Sequence, residues 1–352
     1  MKKQLITILR FLLFLSLGVG ILWYLYSTGE TQYHAELETK GETLQPYWMK
    51  LKSDFAGVNY FWILMVVLVY VLSNVSRAMR WMMLLNPLKT DGKKVSFANS
   101  FMATLVLYVT NYVIPRSGEV ARCGVIAKYE DIPMEKSLGT VFLDRTLDIL
   151  CLGIFFLLTL ALEFDKLWGF LMENTVQSSD NGTGEKGFPW LIFIAGFGLA
   201  ALIVAFIFRK KLQTTAIYKK IETLALGFLE GIKTIQKLDN LWLFIGHTVF
   251  IWLMYYLMLY LAFFAYAPTA HLGPVAALLV FVFGALGIVV PAPGGIGSYQ
   301  FFVSTALATF YMIPDSQAFA FSNISFFAPF ICNVVFGVLA IILLPVLNKA
   351  KV

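Results

Sequence analysis

Charged residues are scarce in this sequence: they make up 14% of its 352 residues, whereas 59% are hydrophobic. Because ordinary soluble domains carry about 25% charged residues, the composition argues against a soluble protein. Several apolar runs approach or exceed the roughly 18–20 residues that a helix needs to cross a bilayer. The composition therefore predicts an all-α polytopic membrane protein.

Cysteine and histidine are also rare, with three residues of each. Cys123, Cys151 and Cys332 lie in or beside apolar sequence and form no C-x-x-C motif, which argues against a metal site or a disulfide framework. No two histidines have the spacing of metal ligands, so we expect neither a metal nor a cofactor. The net charge of +6 does not indicate nucleic-acid binding, because Lys and Arg collect in the cytoplasmic loops of membrane proteins.

The apolar runs predict about six full spans in a single transmembrane domain, residues 1–352. The spans lie at about 5–26, 59–76, 137–161, 189–208, 241–266 and 322–346. Lys and Arg cluster at the start, after the second span (including Arg77 and Arg80), in 209–240 and in the tail. By the positive-inside rule, this distribution predicts an inner (plasma) membrane protein with both termini in the cytoplasm.

Two further apolar segments, about 97–114 and 274–312, are interrupted by Pro and Gly. The loop charges place both ends of each segment on one side, so each is a re-entrant hairpin or a pair of crossings. The Pro and Gly favour re-entry, because irregular backbone at membrane depth persists only inside protein or beside a wet cavity.

The two breaks are alike in sequence, "NYVIPRSGEV" and "GIVVPAPGGI", and Pro115 and Pro291 lie 176 residues apart, half the length of the chain. The flanking spans run in opposite directions across the membrane. This arrangement predicts an inverted repeat with halves of about 59–161 and 241–346, a pattern typical of a transport site near the midplane. The alternative is a chance pair of Pro-Gly loops.

Segment 209–240 has apolar residues at helical spacing and a basic opposite face. It fits an amphipathic helix on the cytoplasmic leaflet. It fits equally a cytoplasmic connector helix that packs on the bundle.

Three charged residues, Asp144, Arg145 and Asp148, lie about one third of the way into the span 137–161. A charge at the centre of a membrane helix costs roughly 2.5–3.5 kcal/mol, so each needs a partner. Arg145 and Asp148 can pair at i, i+3, whereas Asp144 and Asp148 repel unless a cation lies between them. The natural partners from the neighbouring break are Arg116 and Arg122.

The first break, "IPRSGEVARC", spaces Arg116, Glu119 and Arg122 by three residues. If a helix begins near Gly118, Glu119 and Arg122 lie on one face. The guanidinium fork suits phosphate, and a helix N-terminus adds N–H donors. The stretch is either an anionic headgroup site, in which Glu119 holds an arginine, or a set of structural ion pairs that fixes a re-entrant loop.

The second break, "PAPGGIGSYQ", has no charge, and its glycines Gly294, Gly295 and Gly297 follow Pro293. Glycine permits positive φ angles and close approach of other groups. The loop is either an anion-binding nest of backbone N–H groups or a tight turn for close helix packing.

Together, "PRSGEVAR", "FLDRTLDIL" and "VVPAPGGIGSYQ" resemble the membrane domain of the lysylphosphatidylglycerol synthase family, also described as flippase-like proteins. The resemblance covers about residues 5–346. The positions that it carries over are Pro115, Gly118, Glu119, Arg122, Arg145, Pro293, Gly294, Gly295 and Gly297. Many relatives have an acidic residue where this chain has Gln300. Bifunctional members continue into an aminoacyltransferase domain; this sequence ends at Val352, so we expect no synthesis of aminoacyl lipids.

These features predict a non-enzymatic, flippase-like protein that binds an anionic or isoprenoid-type lipid and moves it between leaflets. Arg116, Arg122 and Arg145 would engage the headgroup. Glu119, Asp144 and Asp148 would hold those arginines or exchange protons. The expected partner is a membrane phospholipid or lipid-linked molecule, and a second copy of the chain is a further candidate. The alternatives are a membrane subunit or enzyme that acts on a lipid-linked sugar, and a scaffold for envelope lipid enzymes.

Overall fold

The computed structural model describes residues 2–90, 92–114, 117–176, 238, 240–290 and 292–348, and every regular element within these ranges is helical. The helices are α1 (Lys2–Lys40), α2 (Tyr47–Ala56), α3 (Tyr60–Leu85), α4 (Phe97–Val113), α5 (Gly118–Glu130), α6 (Met134–Leu162), α7 (Phe164–Val176), α8 (Leu241–Ala265), α9 (Pro274–Val289), α10 (Ser298–Tyr311) and α11 (Asp315–Leu347). The predicted all-α class is confirmed.

Four helices of the described residues are long and apolar enough to cross a membrane: α3 with the short turn after it, α6, α8 and α11. They coincide with four of the predicted spans. The predicted span at 5–26 is part of α1, which continues to Lys40. The span at 189–208 and the amphipathic helix at 209–240 lie outside the described residues, so the number of spans stays a prediction.

The predicted end of the second span, at residue 76, is wrong. Helix α3 continues to Leu85, and Arg77 and Arg80 are 3% and 0% exposed. These arginines were assigned to a cytoplasmic loop because they are charged. They are buried because carboxylates of α6 bind them. The helix ends only where Pro87 follows Asn86.

Each of the two broken segments consists of two helices separated by a Pro-Gly break. The first runs from α4 into α5, and the second from α9 through a 3-10 turn, Pro293–Gly295, into α10. In the second, the Ser298 hydroxyl donates to the carbonyl oxygen of Gly287 at 2.7 Å, which joins the two helices across the break. The breaks fall at the predicted positions; re-entry and the inverted repeat stay predictions.

The chain divides into two compact units, residues 1–156 with 240–352, and residues 157–239. The first contains α1–α5, most of α6 and α8–α11. Within it, α3 packs along α8, and α4 packs between α5 and α11. In the second, Lys166 pairs with Glu163 at 3.0 Å beside the start of α7.

Glu130, the last residue of α5, fixes the neighbouring helix ends. Its carboxylate accepts hydrogen bonds from Lys89 at 2.5 Å, Asn99 at 2.6 Å and the Ser96 amide at 3.1 Å. Burial acts to raise the pKa of Glu130, but these hydrogen bonds outweigh it and hold the pKa below its usual value. Asn99 also exchanges hydrogen bonds with Asn348 at 3.1 and 2.8 Å, so this cluster joins the segment after α3, the helices α4 and α5, and the end of α11.

Candidate functional site

The two aspartates of α6 are joined by an arginine of α3. Nη2 of Arg80 donates to Asp144 at 2.5 Å and to Asp148 at 3.0 Å, and Arg77 donates to Asp148 at 3.0 Å. The spacing of the two aspartates required a cation between them, and that cation is Arg80. Since Asp144 and Arg80 are both fully buried, each depends on the other to offset its desolvation.

Arg122, from the first turns of α5, is held by the same network. It is fully buried, its Nη2 donates to Asp144 at 3.0 Å, and its guanidinium carbon lies 4.1 Å from the centre of the Trp81 ring. Trp81 is itself fixed by a hydrogen bond from its Nε1 to Thr140 at 3.0 Å. The expected pairing of Arg122 with the charged span is confirmed. Contact with both an aspartate and an aromatic face favours the structural reading of Arg122.

Helix α5 begins at Gly118, which meets the condition for Glu119 and Arg122 to share a face, and it places Glu119 in its first turn. Glu119 accepts from Arg145 at 2.6 Å, so the arginine that it holds lies on α6. Nη1 of Arg145 also lies 3.7 Å from Asp148, in the predicted i, i+3 pair. Arg116 and Pro115 lie outside the described residues.

A cavity of about 560 Å³ adjoins this network. The charged part of its wall consists of Arg77, Glu119, Arg145 and Asp148, which are ion-paired neighbours. The rest of the wall is mainly aromatic and aliphatic, with Tyr70, Tyr108, Tyr112, Leu152, Trp252, Tyr255, Phe281, Ile288, Phe326 and Phe330. The volume is within the range of small-molecule sites, and the wall combines one group of neighbouring charged side chains with a mainly apolar remainder. Neither Arg122 nor Asp144 is part of the wall.

The family model of the lysylphosphatidylglycerol synthase TM region matches residues 46–337. The chain belongs to this family. The match includes the whole charged network and both breaks, and it indicates a membrane protein tied to lipid metabolism or transport. Comparison with curated proteins and with solved structures found no match.

In this member of the lysylphosphatidylglycerol synthase TM family, the second break is a tight turn. Gly294, Gly295 and Gly297 have φ values of 60°, 78° and 84°. The amides of Gly295, Ile296 and Gly297 already donate to Ala292 O, Pro293 O and Gln300 Oε1, at 3.1, 3.2 and 2.8 Å. Because these N–H groups have acceptors within the loop, the geometry favours close packing over an anion-binding nest.

The glycines of this turn let two other helices approach it. A Cβ on Gly294 would overlap the ring of Tyr112 on α4, and a Cβ on Gly297 would overlap the carbonyl oxygen of Gly18 on α1. Gly294 and Gly295 also form part of the cavity wall, and Pro293 is buried beside them. Oε1 of Gln300 caps α10 by accepting the Gly297 N–H, a bond that a carboxylate at this position could accept as well.

Arg77 and Arg80 belong to the site, although their place after an apolar run predicts a cytoplasmic loop. The signal was available in "SNVSRAMRW", where Ser73, Arg77 and Arg80 recur at helical spacing beyond the predicted end of the span. Tyr255 belongs to the site as well; Arg77 lies over its ring at 5.6 Å. An arginine just after an apolar run is ordinarily a loop residue, and only the carboxylates of α6 change that interpretation.

Proposed function

We propose that this protein binds an anionic or isoprenoid-type lipid and moves it between the leaflets of the inner (plasma) membrane. The observation that carries the proposal is the cavity, whose wall has one cluster of charged side chains and is mainly aromatic and aliphatic elsewhere. A lipid has the same division between a polar headgroup and apolar chains. The partner is a membrane phospholipid or a lipid-linked molecule, and we propose transport, with both termini in the cytoplasm, in preference to an enzymatic role.

The sign of the headgroup charge follows from the network. Among the described residues, it contains four guanidinium groups, Arg77, Arg80, Arg122 and Arg145, and three carboxylates, Glu119, Asp144 and Asp148. These give a formal charge of +1 beside the cavity. An unbalanced charge is costly at membrane depth, so an anionic group in the cavity is favoured over a cationic one.

A bulky side chain in the cavity tests this function. We expect Ala285→Trp, which places an indole on the cavity wall, to reduce leaflet exchange close to the rate of protein-free vesicles. The measurement is the dithionite bleaching of a fluorescent, anionic headgroup-labelled phospholipid in vesicles that contain the purified protein.

Leu286→Trp is the matched control, since Leu286 is the next residue of α9, is 36% exposed and is not part of the cavity wall. It should keep the exchange rate of the wild type. No acceleration by the wild-type protein would overturn the transport function. Equal rates for the two tryptophan variants would overturn the role of the cavity.

A further inference from the structure

The ion pair between Glu119 and Arg145 is the accessible part of an otherwise buried network. The side chains of Arg145 and Glu119 are 39% and 25% exposed, whereas those of Arg77, Arg80 and Arg122 are 4% exposed or less. Both members of the pair form part of the cavity wall. Arg145 is therefore the guanidinium group that a molecule in the cavity reaches first.

The partners of Arg145 differ in what they lose when it moves. Asp148 keeps hydrogen bonds from Arg77 and Arg80 at 3.0 Å each. Glu119 has its one ion pair within the described part of the chain with Arg145. Opening this pair therefore leaves the buried network intact, and it frees one guanidinium group for the cavity.

We propose that Glu119 is an internal counter-anion, which occupies Arg145 until the phosphate of a lipid headgroup displaces it. This inference rests on the proposed function and names the exchange that admits the headgroup. Carboxylate and phosphate both offer two oxygens to the guanidinium fork, so one can replace the other on the same donors. A partly exposed ion pair contributes little to stability, which makes it easy to open.

The charges around Glu119 favour this exchange over a direct role in binding. Arg145 of α6 binds Glu119 and also lies 3.7 Å from Asp148, which Arg77 of α3 binds in turn, and Arg122 lies on the same helix as Glu119. Glu119 repels an entering phosphate, so it competes with the ligand for Arg145. Removing the carboxylate raises the formal charge of the described network from +1 to +2, which strengthens the attraction for an anion.

The test is the affinity of Glu119→Gln for a defined lipid. The purified full-length chain in a non-ionic detergent is titrated with short-chain phosphatidylglycerol, which has one net negative charge, and bound lipid is counted by native mass spectrometry. We expect the dissociation constant of Glu119→Gln to fall about twofold to fivefold below that of the wild type, the gain from removing one ion-pair competitor. Arg145→Gln should lose the preference for phosphatidylglycerol over phosphatidylcholine.

Two further variants serve as a control and as a second readout. Glu135→Gln makes the same chemical change at an exposed residue in the first turn of α6, and it should bind as the wild type does. Arg145→Lys keeps the charge but loses the two-pronged donor; it should weaken phosphatidylglycerol binding severalfold, and it supplies the readout if Glu119→Gln fails to fold.

Each outcome decides between the inference and the function on which it rests. Weaker or unchanged binding by Glu119→Gln overturns the counter-anion role while lipid binding stands. Failure of the wild type to hold either lipid overturns the proposed function. Competition by free glycerol 3-phosphate at the concentration of the lipid would identify a soluble phosphate as the ligand and overturn lipid recognition.

Discussion

Asp144→Asn should destabilise the protein by about 3–5 kcal/mol, the range for breaking a buried ion pair by removal of one partner. Asp144 accepts from Arg80 at 2.5 Å and from Arg122 at 3.0 Å, and all three side chains are fully buried. Asparagine preserves the shape but leaves both guanidinium groups without this carboxylate. We expect a large fall in the melting temperature of the detergent-solubilised protein, and poor recovery from membranes.

Asp131→Asn is the matched control for this substitution. Asp131 is exposed and ends α5 in the left-handed conformation with φ of 57°, which asparagine also adopts readily. The control should melt within a few degrees of the wild type. If Asp144→Asn melted alongside it, the buried network would not be a stabilising unit, and the arginines of α3 would have other partners. The fall in melting temperature of Asp144→Asn should be independent of added lipid, because Asp144 does not line the cavity.

Gly118→Ala should cost about 3 kcal/mol, the upper end for overpacking a tightly packed contact. A Cβ at this position would overlap the backbone oxygen of Leu107 and would lie 2.8 Å from Cγ of Asn111. Asn111 also accepts the Gly118 N–H at 2.8 Å, so the α4–α5 contact has no room to adjust locally. Because Gly118 begins the helix that carries Glu119 and Arg122, we expect this variant to lose lipid binding as well as stability.

Gly124→Ala provides the opposite expectation on the same helix. A Cβ on Gly124 meets nothing within 4 Å, and alanine is favoured over glycine inside a helix by roughly 0.5–1 kcal/mol. Thermal unfolding of the two variants should therefore shift in opposite directions from the wild type. Shifts of the same sign would indicate that helix propensity, and not the contact with α4, governs α5.

The candidate site was partly visible in the sequence. The apolar run at 137–161 predicts a helix that contains Asp144, Arg145 and Asp148. Helical spacing then predicts the i, i+3 pair of Arg145 and Asp148. It also predicts that a cation lies between the two aspartates. The pairing of Arg122 with this helix also followed, because charges at membrane depth require partners. The identity of the bridging cation did not follow, since Arg80 is 64 residues from Asp144 in the chain.

The assignment of Glu119 shows the same limit. Its spacing from Arg122 indicated that the two share a face of α5, and they do lie on one helix. Yet Arg122 turns to Asp144 and Trp81, while Glu119 binds Arg145. Spacing along one helix determines which side chains share a face. It does not determine which neighbouring helix each side chain meets.

The sequence by itself indicated the membrane class, the places of the four long apolar helices, the two Pro-Gly breaks and a possible helix start near Gly118. Each of these depends on composition or on contacts within about one helical turn, which a single sequence records directly. Only the tertiary structure decided three features. Arg77 and Arg80 are buried, the amides of the second Pro-Gly break have nearby acceptors, and a cavity lies beside the charged side chains of α3, α5 and α6. These features arise where helices distant in sequence pack together, and the balance between desolvation and pairing at such contacts depends on the partner that packing supplies.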